Sequence, residues 1–195
     1  MQAALAFLAL LLPLTLSPGP ATIALAGQGM SRGMVRSLPF FTGLLVSCFA
    51  VAVAGGMGLN ELFLAYPVIY DTLRYAGVAY IVYLAVKLIR ARPDLSDTSD
   101  GGYGFNDGLL LTVLNPKYYV LVTVVFSQFL EPGQGGLWII ILGMTSIVGA
   151  SQLVWLAIGA GFRPLLKSAR ALRIQSVTFG ILLLAVAVFM LVQDT

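Results

Sequence analysis

The sequence is poor in charge. Charged residues occupy 10% of the 195 positions and apolar residues 59%, whereas a soluble domain has about a quarter and about a half. So few charges cannot cover a surface that faces water, so lipid must surround most of the outside. The net charge of +3 does not indicate a nucleic-acid partner, because the basic residues lie in connecting segments and form no single patch.

Histidine is absent and there is a single cysteine, Cys48, inside an apolar run. These counts exclude a disulfide framework, a zinc site of the usual Cys and His type, a redox carrier with two thiols, and acid-base catalysis by histidine. Cys48 is expected to be a small buried hydrophobic residue. An intramembrane enzyme would need a serine paired with Lys117, and no serine motif accompanies that lysine. We therefore expect neither an enzyme nor a cofactor.

Six apolar stretches approach the roughly 20 residues that a helix needs to cross about 30 Å of hydrocarbon. They are Ala3–Gly27, Leu38–Leu59, Leu73–Ile89, Leu109–Leu130, Leu137–Gly161 and Ile174–Val192. No basic residue precedes the first stretch, as one would in a cleavable signal peptide, so this stretch is expected to be retained. The sequence predicts an all-α polytopic membrane protein with six transmembrane helices, forming a single transmembrane domain over residues 1–195.

The basic residues lie on one side of this predicted bundle. Nine of the eleven lie at the end of the first, third or fifth stretch or follow it: Arg32, Arg36, Lys87, Arg90, Arg92, Arg163, Lys167, Arg170 and Arg173. Lys and Arg are retained on the cytoplasmic side of a membrane. Both termini are therefore expected on the non-cytoplasmic side of the cell's inner membrane.

Two interrupted helices indicate an internal repeat. Ser17-Pro18-Gly19-Pro20 interrupts the first stretch and Asn115-Pro116 the fourth, with Pro116 following Pro18 by 98 positions. Two pairs of glycines repeat at similar spacings: Gly43 with Gly143, and Gly77 with Gly180. Each half holds three helices, an odd number, so the second copy must enter the membrane from the opposite side. The predicted halves are residues 1–92 and 108–195.

A polar cytoplasmic linker is expected over residues 93–107. It contains four aspartates, and its spacing lacks the twelve-residue pattern and closing glutamate of a calcium loop. The linker is therefore expected to be solvated and to bind no metal. The four aspartates are Asp94, Asp97, Asp100 and Asp107.

The chemistry of the two breaks favours a ligand site. A proline inside a helix leaves the carbonyl four residues earlier without its donor, which applies to Leu14, Leu16 and Thr112. In lipid such a carbonyl needs water, a ligand cation or a neighbouring helix, and the restarting helix presents amides that favour an anion. A proline can also merely kink a helix for packing. The predicted substrate-binding and translocation residues are Pro18, Gly19, Pro20, Asn115, Pro116 and Lys117.

Lys117 lies inside the fourth stretch, where a charge costs at least a few kcal/mol unless it meets water or a partner. It either attracts a substrate carboxylate or extends to the lipid phosphates, and the sequence leaves both open. The remaining polar residues of the stretches are expected to form hydrogen bonds between helices. These are Gln152, Ser47, Ser127, Gln128, Tyr80 and Tyr83.

At the same residues the chain resembles the LysE and RhtB type of amino-acid exporter. The resemblance covers essentially the whole chain. It rests on Ser17-Pro18-Gly19-Pro20, on Gly33 and Gly43, on the Ala76–Leu84 run with its glycine and two tyrosines, and on Asn115-Pro116-Lys117. Many relatives carry an acidic residue soon after the equivalent of Gly43, where this chain has Val46–Phe49; Asp107 and Glu61 are then the acids nearest the stretches.

The resemblance implies a secondary transporter that exports amino acids or close derivatives, driven by an ion gradient across the lipid bilayer. It leaves open the coupling proton or ion and whether the bundle forms a homodimer. A metal-ion exporter of related fold is one alternative, although paired acids within the stretches are missing. A non-transporting membrane assembly subunit is another.

Overall fold

The computed structural model describes residues 2–90, 102–130, 136–165 and 168–192, which are almost entirely helical. Eight α-helices follow one another: α1 (Gln2–Leu16), α2 (Pro20–Ala54), α3 (Asn60–Ala65), α4 (Pro67–Arg90), α5 (Phe105–Val113), α6 (Pro116–Phe129), α7 (Leu137–Phe162) and α8 (Ala169–Val192). A π-helical turn, Gly55–Leu59, joins α2 to α3, and a 3-10 turn, Arg163–Leu165, ends α7. The all-α prediction is confirmed for the described residues.

Within the described parts of the chain, four helical segments are long and apolar enough to cross a membrane: Pro20–Gly58, Pro67–Arg90, Leu137–Leu165 and Arg170–Val192. A fifth arises if α5 and α6 form one span, bent by 59° where they meet. The chain is therefore a multi-pass membrane protein. α1 is apolar but shorter, so length and composition alone give four to five spans where the sequence predicted six.

The difference in number arises between the first two predicted stretches. We expected a connecting segment there, from Gln28 to Ser37, whereas the chain is helical on both sides of Gly33, where two helical segments meet at a kink. Only Gly33 departs from helical geometry, with φ 80° and ψ 178°. A residue with a side chain rarely adopts a positive φ, whereas glycine does so without steric cost. The interruption is therefore confined to the one residue that tolerates it.

The predicted polar linker, which ends at Asp107, overlaps the start of α5. The helix α5 already begins at Phe105, and Asp107 lies in its first turn. The Asp107 carboxylate accepts a hydrogen bond from the Gly104 amide at 2.8 Å, so it satisfies a donor at the helix start. The other linker aspartates, Asp94, Asp97 and Asp100, lie outside the described residues.

The helices bury a continuous apolar core. α2 packs most extensively against α7 and α5, α4 packs against α8, and α1 packs against α7 and α6. Cys48 is 1% exposed within this core, which confirms its prediction as a buried hydrophobic residue. Large apolar side chains also cover the outside of the long helices, as lipid contact requires; examples are Val35, Ile139, Ile181 and Val188.

Candidate functional site

Both helix breaks that the sequence predicted are present. α1 ends at Leu16 and α2 restarts at Pro20 after an extended Gly19, with φ −156° and ψ 179°. α5 ends at Val113 and α6 restarts at Pro116 after an extended Asn115, with φ −97° and ψ 108°. Proline suits the first position of a helix because its missing N–H has no partner there in any case. The prolines thus start helices and do not merely bend them.

The carbonyls that the prolines deprive of a donor have all found another one. The Leu14 carbonyl accepts from the Ser17 hydroxyl at 2.9 Å, and the Thr112 carbonyl accepts from the Asn115 backbone N–H at 3.1 Å. Leu16 accepts from the indole N–H of Trp155 on α7, at 3.3 Å. These three carbonyls are therefore occupied by the protein and are not bare ligands for a cation.

Lys117 connects the two breaks directly. Its ammonium donates to the Ser17 hydroxyl at 2.8 Å and to the Ser17 carbonyl at 3.0 Å. The same ammonium lies beside Gly19, where an added Cβ would be 3.5 Å from it. Two segments 100 positions apart in the chain are thus joined by one charge-assisted hydrogen-bonding group.

The two restarting helices differ in the amides that they leave open. At α6, the amides of Lys117 and Tyr118 donate to the side-chain and backbone oxygens of Asn115, each at 3.1 Å. At α2, the Thr22 hydroxyl accepts from the Gly19 amide at 2.7 Å, but the Ala21 and Thr22 amides precede any acceptor within the helix. At α6 the first amides are therefore occupied by Asn115, which does not support the anion-attracting end predicted for that helix.

A cavity of about 430 Å³ lies at the breaks. All six residues predicted from the sequence line it, together with six others: Tyr70, Arg74, Val120, Val186, Phe189 and Met190. It extends to the beginning of α4 and the end of α8, which is the end of the bundle remote from Lys87, Arg90 and Arg173. The structure therefore brings the predicted site residues into one cavity.

A second cavity, of about 30 Å³, shares Gly19, Asn115 and Lys117 with the first. Thr22 of α2, Tyr118 of α6 and Gln152 of α7 form its polar walls. Gln152 donates to the Tyr118 hydroxyl, so its predicted role in bonding between helices is confirmed. Nothing in the sequence indicates that Gln152 also faces the breaks, because α7 contains no break of its own.

The structure adds three site residues that sequence reasoning missed. Ser17 supplies both partners of the Lys117 ammonium, and Tyr70 and Arg74 line the larger cavity. The position of Ser17 beside Pro18 was a usable signal. The sequence did not indicate that Tyr70 and Arg74 lie on the same helix. The third predicted stretch begins only at Leu73, whereas α4 begins at Pro67.

The other polar residues of the spans have mixed roles. Tyr80 of α4 donates to the Asp107 carboxylate of α5 at 3.1 Å, which confirms a bond between helices. Ser47 and Ser127 donate to carbonyls of their own helices, so that prediction is wrong for them. Among the residues that the structure describes, no three His, Cys, Asp or Glu side chains are grouped as a metal would need.

A polar cluster lies at the opposite end of the bundle from the larger cavity. Lys87 pairs with Asp107 at 3.0 Å, and the Gln28 amide both donates to and accepts from the Tyr103 backbone, at 2.8 and 3.3 Å. The Tyr103 hydroxyl donates to the Leu84 carbonyl at 2.9 Å, and burial raises the pKa of this phenol, so it stays a donor. We call Gln28, Lys87, Tyr103 and Asp107 the basic-end cluster; it ties α2, α4 and α5 together.

Long apolar helices, two of them interrupted at a cavity that a lysine lines, are typical of a membrane transport protein. The chain belongs to the LysE type translocator family, whose sequence profile matches residues 12–194. It is 30% identical over 141 residues to homoserine/homoserine lactone efflux proteins of Salmonella typhi and Salmonella typhimurium, covering 69% of this chain and 68% of theirs. An uncharacterized membrane protein of Vibrio cholerae is 27% identical over 150 residues, or 73% of each chain. No solved structure matches.

Proposed function

We propose that the chain is a secondary transporter that exports amino acids or close derivatives across the cytoplasmic membrane, through a site at the two helix breaks. The main observation in support of this proposal is that Lys117 joins the two breaks at a cavity lined by all six predicted residues. Its volume of about 430 Å³ falls within the range of small-molecule sites, about 300–1,000 Å³. Because two relatives are named for homoserine and its lactone, these are the first substrates to test.

The polar groups of the site suit a zwitterion. The Lys117 ammonium and the open amides of Ala21 and Thr22 present positive charge to a carboxylate. When Lys117 turns to that carboxylate, it releases the Ser17 carbonyl, which then accepts from the substrate's ammonium. The substrate thus replaces a hydrogen bond that the protein makes with itself, so neither partner is left unpaired in the membrane.

The proposed architecture is six spans in two inverted repeats. Pro20–Gly58 is 39 residues long, about 58 Å at 1.5 Å per residue, nearly twice the hydrocarbon thickness of about 30 Å. Two crossings that meet at Gly33, between Arg32 and Arg36, account for this length. Two glycine contacts support the repeat: the α2 residue Gly43 abuts Phe105 at the start of α5, and the α7 residue Gly143 abuts Phe7 in α1.

Positive residues orient the bundle with the basic-end cluster toward the cytoplasm and both termini outside. The larger cavity then extends toward the non-cytoplasmic side, while the basic-end cluster closes the cytoplasmic side. We assign this arrangement to the outward-facing state of an alternating-access cycle. Separation of the basic-end cluster is the proposed step that admits substrate from the cytoplasm.

Counterflow in proteoliposomes tests the proposal. Vesicles that contain the protein and are loaded with an unlabelled amino acid should accumulate the same labelled amino acid faster than protein-containing vesicles without internal amino acid. Homoserine is the first of a broad panel of amino acids to test. Repeating the assay with an imposed pH gradient identifies a coupling proton. Rates equal to those of protein-free vesicles for every amino acid and for homoserine lactone would overturn the proposed function.

A further inference from the structure

We propose that Asn115 and Gln152 form a subsite that binds a neutral hydrogen-bonding group of the substrate's side chain. This inference rests on the proposed function, because it assigns a second part of the same site. The subsite is the cavity of about 30 Å³ that adjoins the larger one at Gly19, Asn115 and Lys117. A small amino acid held at Lys117 by its charged groups can therefore direct its side chain into this space.

Two of the residues that line this cavity each have a buried polar atom without a hydrogen-bond partner. These atoms are the Asn115 amide nitrogen Nδ2 and the Gln152 amide oxygen Oε1, on side chains that are 1% and 2% exposed. The orientation of each amide is set by its other atom: Asn115 Oδ1 accepts from the Lys117 amide at 3.1 Å, and Gln152 Nε2 donates to the Tyr118 hydroxyl. One unused donor and one unused acceptor thus belong to two residues that line the same small space.

The chemistry of this pair selects the group that it binds. A hydroxyl both donates and accepts, so it satisfies both atoms at once. A methyl group fills the space but leaves both atoms unpaired, a carboxylate cannot donate, and an ammonium cannot accept. The volume of about 30 Å³ admits one or two water-sized groups, which suits a hydroxyl at the end of a short chain.

Homoserine and norvaline provide a matched pair of probes, because norvaline carries a methyl group where homoserine carries its hydroxyl. We expect wild-type kcat/KM for counterflow to favour homoserine about tenfold, as expected when a methyl group leaves buried polar atoms unpaired. Gln152→Met retains the volume of the side chain but removes the acceptor, so it should reduce this ratio to about one. The ratio is independent of how much protein each variant inserts into the vesicle.

Asn115→Asp tests the other residue of the subsite with the same ratio of kcat/KM values. It retains the Oδ1 acceptor for the Lys117 backbone amide but loses the Nδ2 donor. The control is Gln175→Met: Gln175 is 5% exposed, its Oε1 is also unpartnered, and it lines neither cavity. This control should leave the ratio unchanged.

The possible failures are distinguishable. If wild-type protein transports neither probe nor any other amino acid, the proposed function fails and this inference with it. If it transports both probes at equal kcat/KM, or if Gln152→Met and Asn115→Asp retain the wild-type ratio, the subsite is refuted while the proposed function stands. A ratio that changes equally in Gln175→Met would also refute it.

Discussion

At the scale of the residue, Lys117 is the side chain on which the proposed site depends. An ammonium inside an apolar helix must have a partner, and the structure gives it Ser17 of the opposite break. The two alternatives for Lys117 in the sequence were a substrate contact and extension to the lipid phosphates. The observed bonds lie within the protein, between the two breaks, and support the first alternative.

Lys117→Met removes the charge and retains most of the side-chain volume. We expect kcat/KM for amino-acid counterflow to fall about 10- to 100-fold, because a hydrogen bond to a charged group contributes about 1.5–3 kcal/mol. Lys117→Arg, which retains the charge, should recover part of the rate. Western blotting of membranes provides the control for insertion, and unchanged flux in Lys117→Met would remove this residue from the site.

At the residue scale, the sequence named six of the twelve residues that line the larger cavity, because a proline or a lysine inside an apolar helix leaves a polar group that needs a partner in lipid. It did not predict Gln152 as a wall of the site. A glutamine in an apolar helix must find a partner, but the pattern does not show whether that partner is a helix or a ligand. Only the packing of α7 against α6 brings Gln152 to the breaks.

At the scale of the helix, close packing keeps the breaks in place. α4 passes directly against the end of α5, and a Cβ on Gly77 would overlap the carbonyl oxygen of Leu114, the residue before Asn115. Because this oxygen belongs to the backbone, only a displacement of α4 or α5 relieves the overlap. A glycine at this position is therefore a requirement of the second break.

Gly77→Ala should thus lower the thermal unfolding midpoint in detergent, by the equivalent of about 1–3 kcal/mol for overpacking, and should reduce transport. Gly161→Ala is the matched control, since an added Cβ there meets nothing within 4 Å and alanine favours a helix by up to about 1 kcal/mol. The expectation is contradicted if both variants have the same midpoint.

The basic-end cluster permits a second test at this scale. Lys87 and Asp107 are 30% and 19% exposed, so solvent screens their attraction, and the pair itself should contribute no more than about 1 kcal/mol. Asp107→Asn also weakens the bond to the Gly104 amide. A double-mutant cycle with Lys87→Met, measured by thermal unfolding, should therefore give a coupling of about 0.5–1 kcal/mol. A coupling of zero would show that the pair does not contribute to closing this end.

The helices were predicted more securely than their ends. Long apolar stretches were enough to predict α4, α7 and α8, but the connections were misjudged where tertiary contacts decide them. The helix α5 begins inside the expected linker because Asp107 caps it and pairs with Lys87. The helical conformation continues to Gly33 because one residue with positive φ is enough to form the kink. The composition of this segment does not indicate so short an interruption.

At the scale of the whole molecule, the orientation follows from the distribution of charge. With the basic-end cluster in the cytoplasm and six crossings, as proposed above, we expect both ends of the chain outside. Alkaline phosphatase fused after Thr195 should be active in intact cells, and green fluorescent protein at the same position should be dark. The opposite pair of results would contradict both the orientation and the proposed direction of the cavity.

The central claim is that a substrate binds between the two breaks, and thiol protection measures this most directly. The variant Ser17→Cys, in a Cys48→Ala background, places one reactive thiol at the residue whose oxygens accept from the Lys117 ammonium. Tyr66→Cys in the same background is the control, since Tyr66 is exposed and its backbone bonds to Leu62 and Ile69. A transported amino acid should slow labelling of the thiol at position 17 by a membrane-impermeant reagent and leave the control unchanged. Labelling of the Ser17→Cys variant at an unaltered rate under saturating transported substrate would contradict the account.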